Sequence, residues 1–215
     1  MTNVITTGTI KITLNDQINA TGATHTADGW QLNGVMPGVE VEKTVSVTND
    51  NADTAGKAWV RVKVDTTVIS AMDLDGNGKL DDVIPSAFTL PGDQDGTSRS
   101  VAVINYNTTA AGAKWFPHTV TEEDENGQER QVTYYYYKTP LAKGEQTTEL
   151  FSTVMLNPDL PNEYQAPDQV YKYQGCTVNI AVSAQAVQEK NNNKEGALTE
   201  LTDATADQVV GWPKN

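Results

Sequence analysis

The stretch Asp73-Leu74-Asp75-Gly76-Asn77-Gly78-Lys79-Leu80-Asp81-Asp82 carries the densest chemistry in the chain. Asp73, Asp75 and Asn77 put side-chain oxygens at positions one, three and five of a loop, with Gly78 at six and Asp81 at nine. That spacing matches the opening of a calcium loop, where a hard cation takes carboxylate, amide and backbone oxygens. Gly78 permits the positive φ that turns the backbone around the ion, and the carbonyl of Lys79 falls at the seventh, main-chain ligand position. The pattern departs at position twelve, where Ile84 stands in place of the bidentate glutamate; Asp82 or water is then left to fill the gap. Two readings follow: a weak structural Ca2+ site built from Asp73, Asp75, Asn77, Lys79, Asp81 and Asp82, or a solvated acidic turn that Gly-Asn-Gly merely bends.

No comparable set exists for catalysis. His25 and His118 are the only histidines and sit in different contexts, with no H-E-x-x-H or other paired spacing to build a helical zinc-protease site. A metal-dependent hydrolase requires these two to converge with acids. No G-x-S-x-G occurs, and Cys176 has no basic partner in sequence; it reads as a small buried residue at the start of the last strand. Glu122-Glu123 lies in a charged hairpin tip and reads as a solvated face rather than a glycosidase dyad.

The aromatic residues suit contact better than reaction. Tyr134-Tyr135-Tyr136-Tyr137 places two rings on each face of a strand. Either all pack in the core with amphipathic edges, or Tyr134 and Tyr136 point inward while Tyr135 and Tyr137 form an exposed strip for sugars or a partner chain. Trp59 falls on the wet face of its strand, where an exposed indole marks an interface unless another segment covers it.

These residues are carried by strands. Val39, Val41, Val45 and Val47 alternate with polar residues, as do Ala58, Val60, Val62 and Val64 against Trp59, Arg61, Lys63 and Asp65. This is the two-residue period of a half-buried strand, and the expectation is a pair turned by the loop Asn49 to Gly56. Ile10, Ile12 and Leu14 form an earlier strand, and the polar stretch Asn15 to Gly29 reads as a loop. Asn126-Gly127 predicts a hairpin joining Trp115–Thr121 to Gln131–Tyr137. Residues 85–100 read as mostly irregular, Val101–Tyr106 and Thr148–Leu156 as strands, and Asn157–Asp168, with its prolines, as a loop. Thr177 to Val187 is the cleanest strand, and Ala204 to Val210 a short helix capped by Thr202 or Asp203. One domain over residues 1–215 is expected, an all-β antiparallel β-sandwich of about eight to ten strands with long loops and one or two short helices.

A formal charge of −13 disfavours nucleic acid, whose phosphates repel such a surface, and anionic lipid. No apolar run approaches the roughly 20 residues of a membrane helix. The single cysteine rules out an internal disulfide, and both a reduced cytosol and a Gram-positive exterior fit. Met1 directly before Thr2-Asn3-Val4 reads as the start of a mature exported chain whose signal peptide has been removed.

Several blocks, in order, resemble one family. Thr2-Asn3-Val4-Ile5-Thr6-Thr7-Gly8 with the following Ile10-Lys11-Ile12 resembles the start of mature proteins released by the signal peptidase SipW. Met36-Pro37-Gly38, Val45-Ser46-Val47-Thr48-Asn49 and Ala58-Trp59-Val60-Arg61-Val62 are similar to its next block. Tyr135-Tyr136-Tyr137-Lys138 before Leu141, Gly144, Thr147 and Leu150-Phe151 continues the likeness, which Ala184-Gln185-Ala186-Val187-Gln188 and Gly211-Trp212-Pro213 close. The chain thus resembles the TasA and camelysin (CalY) relatives, while residues 66–130 have no clear counterpart there. The resemblance implies a secreted, jelly-roll-like sandwich at the cell surface or in a biofilm matrix, self-assembling or bound to other matrix proteins. It also implies strand addition between subunits with residues 2–14 as donor. Camelysin's metalloprotease role finds no motif here. A structural exported protein is therefore expected, with a surface adhesin using Trp59, the tyrosines or residues 85–130 as the alternative.

Overall fold

Val178, Ile180, Val182, Ala184 and Ala186 alternate along one strand, and all five pack into the same core. The computed structural model describes residues 6–7, 10–20, 23–26, 29–32, 35–51, 56–93, 97–123, 127–166, 170–190, 192 and 198–213. In chain order the strands are β1 (Thr6–Thr7), β2 (Ile10–Asn19), β3 (Ala23–Thr26), β4 (Gly29–Leu32), β5 (Glu40–Asn49), β6 (Ala58–Ile69), β7 (Val83–Ile84) and β8 (Ala87–Phe88). They continue as β9 (Arg99–Ser100), β10 (Ala102–Tyr106), β11 (Trp115–Glu123), β12 (Glu129–Tyr137), β13 (Phe151–Leu156), β14 (Glu163–Gln165), β15 (Val170–Lys172) and β16 (Thr177–Gln188). A 3-10 turn, η1, follows at Asp203–Gln208.

Two antiparallel sheets face each other, one ordered β1-β2-β5-β13-β10 and the other β11-β12-β6-β16-β4-β3, with β7 paired to β6. The long ladder of β6 on β16, from Ala58↔Gln188 to Ile69↔Thr177, is the spine of the second sheet. Ile12, Leu14, Val45 and Val47 meet Val60, Val62, Val182 and Ala184 across the gap. Removing these apolar faces from water is the main force that closes the sandwich.

The expected pairing of the two valine strands is wrong. β5 and β6 lie in different sheets, so the two strands do not form a hairpin. Alternation reports which face of a strand is dry, and it is silent on the neighbour. Asn49 fixes the end of β5: it is fully buried, and its side-chain amide donates to the carbonyl of Leu141 at 2.8 Å. Leu141 in turn exchanges backbone bonds with Ala58 at 2.8 and 3.0 Å.

The polar stretch from Asn15 is likewise not a loop. β2 runs on to Asn19, and β3 and β4 follow. Its polar side chains are satisfied across the ladder, Asn15 by Thr48 at 3.0 Å and Asn19 by Glu42 at 3.0 Å. Cross-strand polar pairs of this kind support a strand whose propensity is poor. The proline-containing stretch after Asn157 also departs from expectation, since β14 pairs with β15. The predicted hairpin is present as β11 paired with β12, with Trp115 opposite Tyr137 and Glu123 opposite Glu129.

A second apolar layer lies outside the sandwich. Leu201, Ala206 and Val209 of the C-terminal segment pack on Trp59, Phe116, Val132, Tyr134, Tyr136 and Val187. A third cluster, Val68, Ile84, Phe88, Val101 and Tyr173, closes one end.

Candidate functional site

The acidic loop closes as the tip of the β6–β7 hairpin. Val68 pairs with Ile84 and Ile69 with Val83, and the amide of Ser70 donates to the carbonyl of Asp82 at 2.8 Å. With its ends fixed, the loop folds around Asp73. The carboxylate of Asp73 accepts from the amides of Gly76 at 2.7 Å, Asn77 at 3.1 Å and Gly78 at 2.8 Å. The Gly78 amide above all, with those of Gly76 and Asn77, holds the Asp73 carboxyl below the usual carboxylate range. Gly76 and Gly78 both take positive φ, 76° and 82°, where a side chain is strained.

One carboxylate oxygen each from Asp73, Asp75 and Asp82 lies within 4.8 Å of the others. Asp82 is thus the third acid that meets Asp73 and Asp75. Asn77 bonds the oxygens of Asp75, and its own side-chain oxygen accepts from the amide of Lys79 at 2.8 Å. Asp81 is exposed and stands outside the cluster. Ile84 is buried at 2 % exposure; it is the foot of the hairpin, which is why no glutamate occupies it. The arrangement offers hard oxygen donors held in place by backbone amides, a donor set suited to Ca2+.

The outer face of the second sheet holds the remaining charged chemistry. Arg61, on the side of β6 that alternation marks as wet, is only 4 % exposed. Its Nε donates to Gln185 Oε1 at 2.7 Å and its Nη1 to the hydroxyl of Tyr136 at 2.9 Å. Its guanidinium carbon lies 3.7 Å from the ring centre of Tyr134 and 4.6 Å from that of Trp212, the geometry of a cation–π stack. Trp59 is fully buried beside it, and its indole N–H has no hydrogen-bond partner among the described residues. Of the two readings of Trp59, an exposed interface residue or one covered by another segment, the second holds.

Of the two readings of the tyrosines, core packing holds and the exposed strip does not. Tyr137 packs, with Tyr135 against it, in the core between the sheets, and Tyr134 and Tyr136 face outward under the C-terminal segment. Tyr135 stacks on Tyr106 with ring centres 4.3 Å apart. Glu122 is not a free hairpin charge, since the hydroxyl of Tyr134 donates to it at 2.8 Å.

The two histidines are not brought together. His118 sits on β11 and His25 on β3, the opposite edges of one sheet. Five strand steps separate them, roughly 24 Å. His118 instead meets Asp203 and Asp207 of η1, a contact no spacing in sequence announces. Cys176 is half-buried, and burial pushes its thiol pKa up, away from the reactive thiolate.

Two further charged residues escape the pattern reading. Lys43 shares the parity of Val41 and Val45, and Asp16 that of Ile12 and Leu14, so both point into the sandwich, where they form an ion pair. Parity alone was enough to flag them. The chain matches no protein-family model, no curated protein and no solved structure.

Proposed function

We propose that the protein is a non-catalytic, exported structural component of the cell surface or extracellular matrix that self-associates by strand addition. The observation that carries this reading is the flank of β2. Among the described residues, β1 pairs only with Ile10 and Lys11, whereas β2 extends to Asn19. A strand edge that the described residues leave open over that length is a template for another chain. The order of TasA- and camelysin-like motifs supports the same reading, as does the acidic, helix-poor chain.

Residues 10–14 already belong to the chain's own sheet, with Ile10, Ile12 and Leu14 in its core. The donated segment is therefore the part before Ile10, most of which lies outside the described residues. Ca2+ at Asp73, Asp75 and Asp82 serves as a structural ion that stiffens the hairpin tip. The adhesin alternative loses Trp59 and Tyr137, which are buried, and Tyr135, which packs against the core, and is left with residues 85–130.

Light scattering across a concentration series, with and without residues 2–9, tests the assembly. The full chain forms higher oligomers with rising concentration and the shortened one does not. A full chain that stays monomeric throughout rejects the reading.

A further inference from the structure

The inner faces of β2 and β5 do not stay apolar along their length. After Ile10, Ile12 and Leu14 the next inward residue of β2 is Asp16, and between Val41 and Val45 on β5 stands Lys43. Lys43 Nζ is ion-paired with Asp16 Oδ1, and the two side chains are 3 % and 10 % exposed. A buried ion pair is at best about as stabilising as two aliphatic side chains in the same space. Packing alone gives no reason for it to be there.

Beside this pair the sheets part around a cavity of about 590 Å³. Ile18, Val41 and Val154 wall it from one sheet and Val178 and Ile180 from the other, with Lys43 in the wall. Met36, Asn162 and Gln174, all exposed, border it on the solvent side. Its volume falls inside the range of roughly 300–1,000 Å³ found for small-molecule sites, which pair apolar walls with a few placed polar groups.

An ammonium carries three N–H donors. Asp16 is the hydrogen-bond partner of Lys43 among the described residues, so donors of a buried cation remain for whatever enters the cavity. Burial pulls the Lys43 pKa below its ordinary 10.5 against the opposing pull of Asp16. One carboxylate does not fully offset the desolvation, and a second acceptor at the ammonium lowers that cost.

We propose that this cavity binds a single-chain amphiphilic carboxylate, its alkyl chain between Val154 and Val178 and its carboxylate accepting from Lys43 Nζ. The proposal is independent of self-assembly, because it concerns the interior of one chain.

The full chain, titrated calorimetrically with sodium dodecanoate, dodecan-1-ol and dodecyltrimethylammonium, separates charge recognition from apolar partition. Cys176, the sole cysteine and part of the cavity wall, supplies a second readout through its rate of alkylation by N-ethylmaleimide. The expected result is saturable one-to-one dodecanoate binding, at least about tenfold tighter than dodecanol, with slowed alkylation of Cys176. Lys43→Met removes the preference for the acid. Should that variant fail to fold, Val178→Phe, which fills the space with hydrocarbon, abolishes binding. Absent or non-saturable dodecanoate binding, equal affinity for acid and alcohol, unchanged Cys176 alkylation, or undiminished binding by Val178→Phe each overturns the proposal.

Discussion

His118, on the edge strand β11, and Asp203, at the start of η1, meet at 2.7 Å between Nδ1 and Oδ1. The other ring nitrogen lies 3.1 Å from Asp207, and only the imidazolium can donate on both sides. Burial disfavours that cation, but the hydrogen bonds to Asp203 and Asp207 and their charges outweigh it and raise the pKa above the ordinary 6.5. A raised folded pKa contributes stability that is complete below 6.5 and is lost as pH climbs through the folded value. Proton NMR of the imidazole is expected to titrate above 6.5, and Asp203→Asn with Asp207→Asn to bring it down. The melting-temperature gap between wild type and that double variant closes as pH rises. A gap that widens with pH contradicts the clasp.

Arg61 is the hub of the outer layer. Truncation by Arg61→Met removes the charged donor to the buried oxygen of Gln185 and the cation from between Tyr134 and Trp212. Loss of a charged hydrogen bond and a desolvated cation–π contact together costs about 2–4 kcal/mol in urea unfolding. Arg61→Lys recovers little of it, since an ammonium cannot bond Gln185 and Tyr136 while lying flat on an aromatic face. Full rescue by lysine argues that only the charge matters.

Leu201 is fully buried on Trp59, and its amide donates to the carbonyl of Lys138 at 2.7 Å. Leu201→Ala is expected to cost about 2–5 kcal/mol through the cavity it leaves. Loosening of the C-terminal segment shifts tryptophan fluorescence to the red. A variant as stable as wild type, with unshifted emission, indicates that the segment does not hold Trp59 from water.

The difference between what sequence reveals and what it hides lies in distance along the chain. The inward residues of β6 and β16 are legible because period-two alternation is local. So is the η1 turn, where Thr202 precedes the helix and its amide donates to Thr205 Oγ1 at 2.9 Å. Which sheet β5 joins is not local, and valines facing a core look alike in either arrangement. Trp59 and Arg61 read as wet because nothing near them in sequence announces the C-terminal segment that covers them. Of the acidic loop, Asp73, Asp75 and Asp82 converge, while Asp81 matches the spacing without joining them. Lys43 was legible by parity, since a lysine in register with valines is buried unless the strand bulges.

In the acidic loop Asp73, Asp75 and Asp82 converge and Asp81 does not. Millimolar Ca2+ is expected to raise the melting temperature, and chelator to reverse it, by the linkage between binding and stability. Asp73→Ala removes both the ligand and the acceptor of three amides, so it abolishes the Ca2+ effect and lowers stability without metal. Asp81→Ala leaves the effect nearly intact. Equal responses from the two variants place the ion elsewhere or nowhere.

Position twelve provides the sharpest contrast between pattern and packing. If the loop followed calcium-loop spacing throughout, Ile84→Glu would supply the missing bidentate ligand and tighten binding. Ile84 is buried at 2 % exposure among Val68, Phe88, Val101 and Tyr173, and it pairs with Val68 on β6. A carboxylate there has no room to ionise without unpicking the end of the sandwich, and burial of an unpaired charge costs several kcal/mol. Ile84→Glu is therefore expected to lower the melting temperature with no gain in Ca2+ affinity, whereas Ile84→Val lowers it slightly and leaves Ca2+ binding unchanged. Tighter Ca2+ binding by a folded Ile84→Glu chain means that the hairpin foot turns toward the ion, against the packing that now holds it in the core.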